Sequence, residues 1–565
     1  MANLTDTKKA GGSRLMRNRY FLYTTAFFSG MSVMAIELGA SRLLAPYFSS
    51  SQIVWTVIIG TIMIALALGH VIGGRMVDKN PDPSRLYRRL LLAAVWTAAI
   101  PFVGKYVIAG VSLVLAIFVK SNFLIWASLL SCFLVFVFPL LLLGTVSPAL
   151  IKFCVLNLEE NGKVVGELEA ISTIGSIIGT FLPTFVTIPS VGTAATFLIF
   201  AGILAAISLA YFWSMKKYVA KSLAVFLVIC SLLVLPVSNS FAFWESNLLY
   251  EGESIYNYLQ VKDTPRSIIL STNVLEGVQS IMMKNEELTG MYYDYALAGP
   301  IMAGIPLGAK AFGGSSDAAG DAVLAAAPDP NLLILGLGTG TYATQCLDYF
   351  PGIEVEGVEI DEKIVNLAKE YFRLPAEVSV SVNDGRAYLQ NSGTYDVILV
   401  DAYQDITIPF QMSSREFFGM VKDHLKENGV MVVNMNMRSN KEGSINDYLC
   451  DTIASQFPYV YTMALPDITN MVLFASHDPL ILERLTAQVQ VLPQNSTFKN
   501  LMLNLQAGLQ KREPGPLIFT DDKAPVELLG MQVIDELIAG NLKYYQDIME
   551  QEGIKGLMRS MGVIS

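Results

Sequence analysis

Apolar residues run in long blocks up to about residue 240 and in short, regularly interrupted blocks after it. The long blocks fall at 20–43, 53–77, 90–119, 123–150, 164–187, 192–214 and 222–237. Most reach the roughly 20 residues that a helix needs to cross hydrocarbon. They predict an α-helical multi-span membrane domain over residues 1–240 with about seven spans, the third and fourth long enough to tilt, kink at Pro101 or Pro139, or split. Beyond Pro236 the period changes. ESIYNYLQVKD and SIILSTNVLEGVQSIMMKN alternate with period two and predict a small β-hairpin domain over 241–300. Residues 301–330, rich in Gly, Ala, Ser and Asp from 307 onward, read as a flexible loop. Over 331–540, runs of Val, Ile and Leu alternate with helix-length segments, the pattern of an α/β parallel sheet covered by helices on both faces. Residues 541–565 form a C-terminal helix and tail.

Charge divides the chain at the same point. Residues 1–240 carry 18 Lys+Arg against 8 Asp+Glu, and residues 241–565 carry 21 against 41. A basic, apolar half suits a lipid bilayer, and an acidic half repels nucleic acid and attracts cations. Basic residues gather before the first span, at 75–89 and at 216–221, which puts the amino terminus in the cytoplasm. An odd number of spans then leaves the acidic half outside, whereas adenosine chemistry favours the cytoplasm. We expect a multi-pass protein of the cell membrane with its catalytic domain cytoplasmic; splitting residues 90–119 into two spans reconciles the count but turns the 216–221 lysines the wrong way. Gly69 and Gly73, and Gly175 and Gly179, have the spacing of close helix packing. Glu37, Arg42, His70, Glu167 and Glu169 lie in or beside spans, where ionisable groups are costly, and mark either buried pairing or a polar path for a cation. The five cysteines form no CxxC pair, so neither a disulfide framework nor a zinc site is expected.

The chemistry concentrates between Leu332 and Asn436. The first strand ends in Gly336, Gly338 and Gly340, the second in Glu359, and the third leads to Asp384 and Gly385. Glycines allow a tight turn and close approach of a ligand to the backbone, and a carboxylate about twenty residues later can accept from ribose hydroxyls. The fourth strand ends in Asp401, followed by a loop with Asp405 and Pro409. Asp384 and Asp401 are not called for by a dinucleotide fold, so a sulfonium nucleoside is favoured over NAD. A carboxylate there can hold an ammonium substrate and take its proton as the nitrogen attacks an already activated carbon. That chemistry needs no metal.

GLGTGT, VEID, NDGRAYL, VDAYQDITIP followed by SREFF, and TDDKAPVE together resemble the membrane-fused branch of the spermidine synthase (polyamine aminopropyltransferase) family. The resemblance implies a small β-domain joined to a Rossmann-like methyltransferase-type core. It also implies transfer of aminopropyl from decarboxylated S-adenosylmethionine, a co-substrate rather than a prosthetic group, to putrescine, giving spermidine and methylthioadenosine. Carried over by motif, Asp401 is the proton acceptor. Asn257, Gly336, Gly338, Thr339, Gly340, Glu359, Asp384, Gly385 and Pro409 face the nucleoside, Tyr293, Asp294 and Asp405 face the amine, and the enzyme is a homodimer. Three positions depart from the family pattern: Thr339 stands where an acid is usual, Asn257 where Gln is, and Asp294 where His is. With no acid at Thr339 to repel a carboxylate, methyl transfer from intact S-adenosylmethionine stays open. A polyamine or cation transporter with a nucleoside-sensing domain is the reading from another class.

Overall fold

The computed structural model describes residues 15, 18–48, 51–119, 121–155, 161–234, 240–274, 277–313, 329–402, 408–436, 438–439, 441–466 and 468–560. The chain divides into two units: residues 1–245 with 252–258, and residues 246–251 with 259–565.

The first unit is helical: α1 (Arg19–Phe48), α2 (Gln52–Lys79), α3 (Pro83–Phe118), α4 (Phe123–Gly144), α5 (Val146–Cys154), α6 (Asn161–Leu182), α7 (Ile188–Met215) and α8 (Val219–Val234). Local signals set their starts: Ser51 Oγ accepts from Val54 N, and Asp82 accepts from Ser84 N just ahead of Pro83 at the first helical position. Among the described residues, five helical stretches are long and apolar enough to cross a membrane. One of them, Asn161–Met215, holds both blocks expected at 164–187 and 192–214, with a break at Gly192 (φ 82°). Of the block expected at 222–237, the described residues form the 16-residue α8. α3 is continuous through Pro101, so residues 90–119 do not split.

The expected glycine pairs lie at helix contacts. A Cβ on Gly175 would come within 2.0 Å of Phe27 O and one on Gly69 within 2.4 Å of Leu141 O, so side chains there would force α6 from α1 and α2 from α4. Large apolar side chains such as Met63, Ile64 and Phe133 remain exposed on the outside of the bundle. The hairpin tip, residues 252–258, belongs to this unit: Glu253 accepts from Thr193 N and Oγ1 at 2.8 and 2.7 Å, and Arg42 donates to the carbonyls of Ser254 and Ile255.

The second unit contains two sheets. The smaller has the order β1 (Leu248–Glu253), β2 (Tyr258–Asp263), β3 (Ser267–Ser271), β4 (Ser280–Met283) and is built from antiparallel hairpins. The larger comprises β5 (Asn331–Leu335), β6 (Glu354–Glu359), β7 (Ser379–Val382), β8 (Tyr395–Val400), β9 (Leu425–Met435), β10 (Tyr459–Ala464), β11 (Met471–Ser476) and β12 (Gln510–Lys511), in the order β12-β10-β11-β9-β8-β5-β6-β7. Strands β9, β8, β5, β6 and β7 run parallel and the last three pair antiparallel. β8 is buried at every residue, as a strand covered on both faces must be. From β5 the chain first winds toward β7 and later toward β9. That reversal is the switch point at which such sheets bind ligands, outside the carboxyl ends of their strands. Most of the segment expected as a flexible loop, residues 314–328, lies outside the described residues.

Candidate active site

The buried run of β5 ends in a turn that only glycine fills comfortably. Gly336 has φ 93°, and a Cβ on it would lie 2.5 Å from Asp401 O, so this turn and the end of β8 touch through their backbones. Asp401 N donates to Leu335 O at 2.9 Å, fixing the same contact. β4 braces the turn from its other side: Thr339 N donates to Ser280 Oγ at 3.1 Å and Thr341 Oγ1 to Ile281 O at 2.7 Å. The helix Thr341–Tyr349 follows, started by Gly340 at φ 85°.

Glu359, at the end of β6, is 7% exposed. Its carboxylate accepts from Gly338 N at 2.9 Å and from Asp361 N at 3.1 Å, so it shapes the glycine turn as well as facing it. Burial pushes its pKa up to about 7 against the lowering effect of those backbone amides. Asp401 stands directly after β8. Its Oδ1 accepts from Asn434 Nδ2 on β9 at 2.8 Å, and its Oδ2 from the Tyr292 hydroxyl. Burial raises it to about 7, Tyr292 and Asn434 act in the opposite direction, and the charge of Glu359 adds to the rise. Two carboxyl groups, on strand ends to either side of β5, thus titrate near neutral pH, where a proton can be taken up or released.

Gly336, Gly338, Thr339, Gly340, Glu359 and Asp401 therefore gather around one turn at the switch point. Asp384 and Gly385 lie beyond the end of β7, tied in by Asn383 N donating to Glu359 O at 3.1 Å. Asp384 caps the short helix Gly385–Leu389 by accepting from Ala387 N at 2.9 Å. The Thr339 hydroxyl is buried, and among the described residues its oxygen has no hydrogen-bond partner. Tyr293 packs against Tyr292 with the rings tilted by 36° and centroids 4.0 Å apart, and donates to Gln279 O at 2.9 Å. Both phenols are pushed up, chiefly by burial and then by the nearby Asp401 charge, so they stay protonated donors.

One expectation changes. Asp294, expected against the amine, is 1% exposed and spends its carboxylate on Thr289 N and Oγ1, Gly290 N and Gln345 Nε2; it braces a turn. Asn257 falls in the tip segment that groups with the helical unit. Asp405 lies outside the described residues; Pro409 lies just after that gap and precedes the short turn Phe410–Met412.

The sequence reading missed Tyr292 and Asn434 as partners of Asp401. Asn434 left a signal: a buried amide interrupting the apolar run GVMVVNM. Asn470 Nδ2 orients it by donating to its Oδ1 at 2.9 Å. Also missed was the scaffold joining three of the motifs. Arg386 grips Asp521 with two bonds of 2.7 Å, Ser414 adds a third at 2.5 Å, and the guanidinium holds Asp521 down at about 2.

Residues 320–479 match the family described as "Spermine/spermidine synthase domain". A "Probable polyamine aminopropyl transferase" of Bifidobacterium longum (strain NCC 2705) is 47% identical over 371 residues, 62% of this chain and 78% of that relative. The chain belongs to the spermidine synthase family of aminopropyltransferases. A "Polyamine aminopropyltransferase" of Vibrio vulnificus (strain CMCP6) is 26% identical over 249 residues, 43% of this aminopropyltransferase and 74% of the relative. The crystal structure of a probable spermidine synthase from Corynebacterium glutamicum ATCC 13032 covers 48% of this chain and 97% of its own at 19% identity, with a TM-score of 0.34, too low to carry an argument.

Proposed function

We propose that this aminopropyltransferase joins the aminopropyl group of decarboxylated S-adenosylmethionine to putrescine. The observation that carries the reading is Asp401: a half-buried carboxyl poised at about 7, steadied by Tyr292 and Asn434, beside the glycine turn and Glu359. In the reaction the amine nitrogen forms a bond to the aminopropyl carbon attached to sulfur. That carbon–sulfur bond breaks, its electron pair stays on sulfur, and methylthioadenosine leaves. The attacking ammonium, with an ordinary pKa near 10, must shed a proton, and ionised Asp401 accepts it. Glu359 holds the ribose hydroxyls, and Asp384 and Gly385 border the adenine. Because the sulfonium is already a good leaving group, orientation supplies much of the remaining acceleration.

Purified full-length protein given both substrates should release methylthioadenosine and spermidine in equal amounts. Methylthioadenosine without spermidine, or no release from a folded protein, overturns the reading. Thr339 favours one competitor, methyl transfer from intact S-adenosylmethionine, since an uncharged hydroxyl does not repel a carboxylate. Calorimetric titration with the two nucleosides separates them: the decarboxylated form should bind more tightly.

We further propose a multi-pass membrane protein, supported by five helical stretches of sufficient length and apolarity, of which Asn161–Met215 holds two blocks and so makes the number of crossings even, with the catalytic unit in the cytoplasm, where adenosine substrates are found. A reporter fused after Ser565 tests the side; an extracytoplasmic signal overturns it. A homodimer is part of the proposal, and light scattering in detergent should return two chains per particle.

A further inference from the structure

The helical unit holds an open pocket of about 230 Å³ lined by α1, α2, α4, α5 and α6, on which His70 and Glu169 are both exposed. Its polar lining includes Ser29, His70, Ser147, Glu169, Ser172 and Ser176, most of the rest is aliphatic or glycine, and no Lys or Arg lines it. His70 lies within the apolar run of α2, and Glu169 stands about two turns inside α6. The packing brings the hydroxyls here: a Cβ on Gly30 would lie 2.3 Å from Ser172 O and 3.0 Å from Ser176 Oγ, so α1 and α6 meet almost backbone to backbone.

Ser147 Oγ donates to Glu169 Oε1 at 2.6 Å. Among the described residues that is the carboxylate's one hydrogen bond, and His70 makes none. Ionisable groups within an apolar span are costly unless something partners them. A single hydroxyl does not meet that need for a carboxylate and an imidazole flanking the same space. A carboxylate, a neutral imidazole nitrogen and several hydroxyl oxygens are acceptors, so the complementary guest is a cation rich in N–H donors. Aliphatic walls suit methylenes rather than the water shell of a bare metal ion.

We propose that this pocket binds an aliphatic ammonium cation, with Glu169 as its counter-ion and His70 and the serine hydroxyls as further acceptors. The inference rests on reading α2 and α6 as spans. It assigns to the helical unit the same chemical class as the proposed catalytic acceptor, at a second site.

The test is calorimetric titration of full-length protein in detergent with 1,4-diaminobutane and no nucleoside. Wild type and the Asp401→Asn chain should both show this binding. Glu169→Gln should weaken it at least tenfold, and His70→Gln, a second variant in case the first folds poorly, should weaken it several-fold. Both variants should release methylthioadenosine at the wild-type rate when the diamine is saturating. A Glu169→Gln chain that unfolds at the wild-type temperature and titrates like wild type overturns the proposal. So does loss of all binding in Asp401→Asn, which would assign the heat to the catalytic site, or displacement of the diamine by Na⁺ or Mg²⁺ at equal concentration, which would mark an inorganic cation site. Failure of the aminopropyl-transfer reading shows separately, as absent methylthioadenosine from wild type.

Discussion

Glycine does different work in the two units. Gly175 and Gly69 have ordinary helical backbones and are small because another backbone lies where a Cβ would be. Gly336 and Gly340 have φ of 93° and 85° and are glycine because the chain turns left-handed there, at the lip of a strand end. Carboxylates differ likewise. The first 240 residues hold 8 Asp and Glu, and Glu169 has one hydroxyl partner among the described residues. In the second unit Glu359 is buried and Asp401 half-buried, each is doubly hydrogen-bonded, and they are close enough for the charge of one to raise the other. A residue type therefore indicates packing or chemistry according to what surrounds it: small residues joining helices stabilise, and acids joined at strand ends react.

The largest effect that would sharpen this contrast is Asp401→Asn. It removes the proton acceptor and should lower kcat roughly 10²- to 10⁴-fold, measured as methylthioadenosine release. In wild type, kcat/KM should rise with pH through an apparent pKa of about 7 as Asp401 ionises, and the variant's residual rate should lack that limb. Stability carries the opposite sign. A carboxyl whose folded pKa lies above its unfolded value favours folding when protonated, so wild-type stability should fall as pH rises from about 4 through about 7. Thermal unfolding of Asp401→Asn should show a shallower fall over that window. An equally steep fall would mean that Asp401 is not ionising there.

Next comes Glu359→Gln. It replaces a carboxylate that accepts from Gly338 and Asp361 and faces the expected ribose, and charged hydrogen bonds contribute about 1.5–3 kcal/mol. The nucleoside Kd should rise roughly 10- to 100-fold while the diamine KM changes little. Equal weakening of both ligands would break the division of labour between Glu359 and Asp401.

Gly175→Val tests the other half of the comparison. Its first added carbon would lie 2.0 Å from Phe27 O, so α1 and α6 must separate. Overpacking of this kind costs about 1–3 kcal/mol. The unfolding temperature of full-length protein should drop while methylthioadenosine release per folded chain stays within twofold. Activity falling in step with stability would show that the two units do not behave independently.

Much of this was legible in the sequence because periodicity and glycine spacing are local signals. The helical blocks, the strand run from β5 to β9, and Glu359 and Asp401 at strand ends all follow from them. What failed needed facing information. Tyr292 and Tyr293 are adjacent on a five-residue helix, so their side chains leave it about 100° apart, and nothing local says which reaches Asp401. Asp294 looked like a free acid because the donors that occupy it, Thr289, Gly290 and Gln345, include one 51 residues away. The Arg386–Asp521 fork spans 135 residues, and no pattern of short period can announce it.

The smallest effect is the finest probe of how the site is tuned. Tyr292→Phe removes the hydroxyl that donates to Asp401 Oδ2 and leaves the ring packed against Tyr293. That hydrogen bond favours the ionised carboxylate and works against the rise caused by burial. Without it the Asp401 pKa should move further up, so the pH–rate profile should shift to higher pH while the rate on its alkaline plateau falls only a few-fold. At pH 7 the variant then loses more activity than at pH 9. Loss by the same factor at both values would show that Tyr292 positions a substrate rather than setting the proton affinity of Asp401.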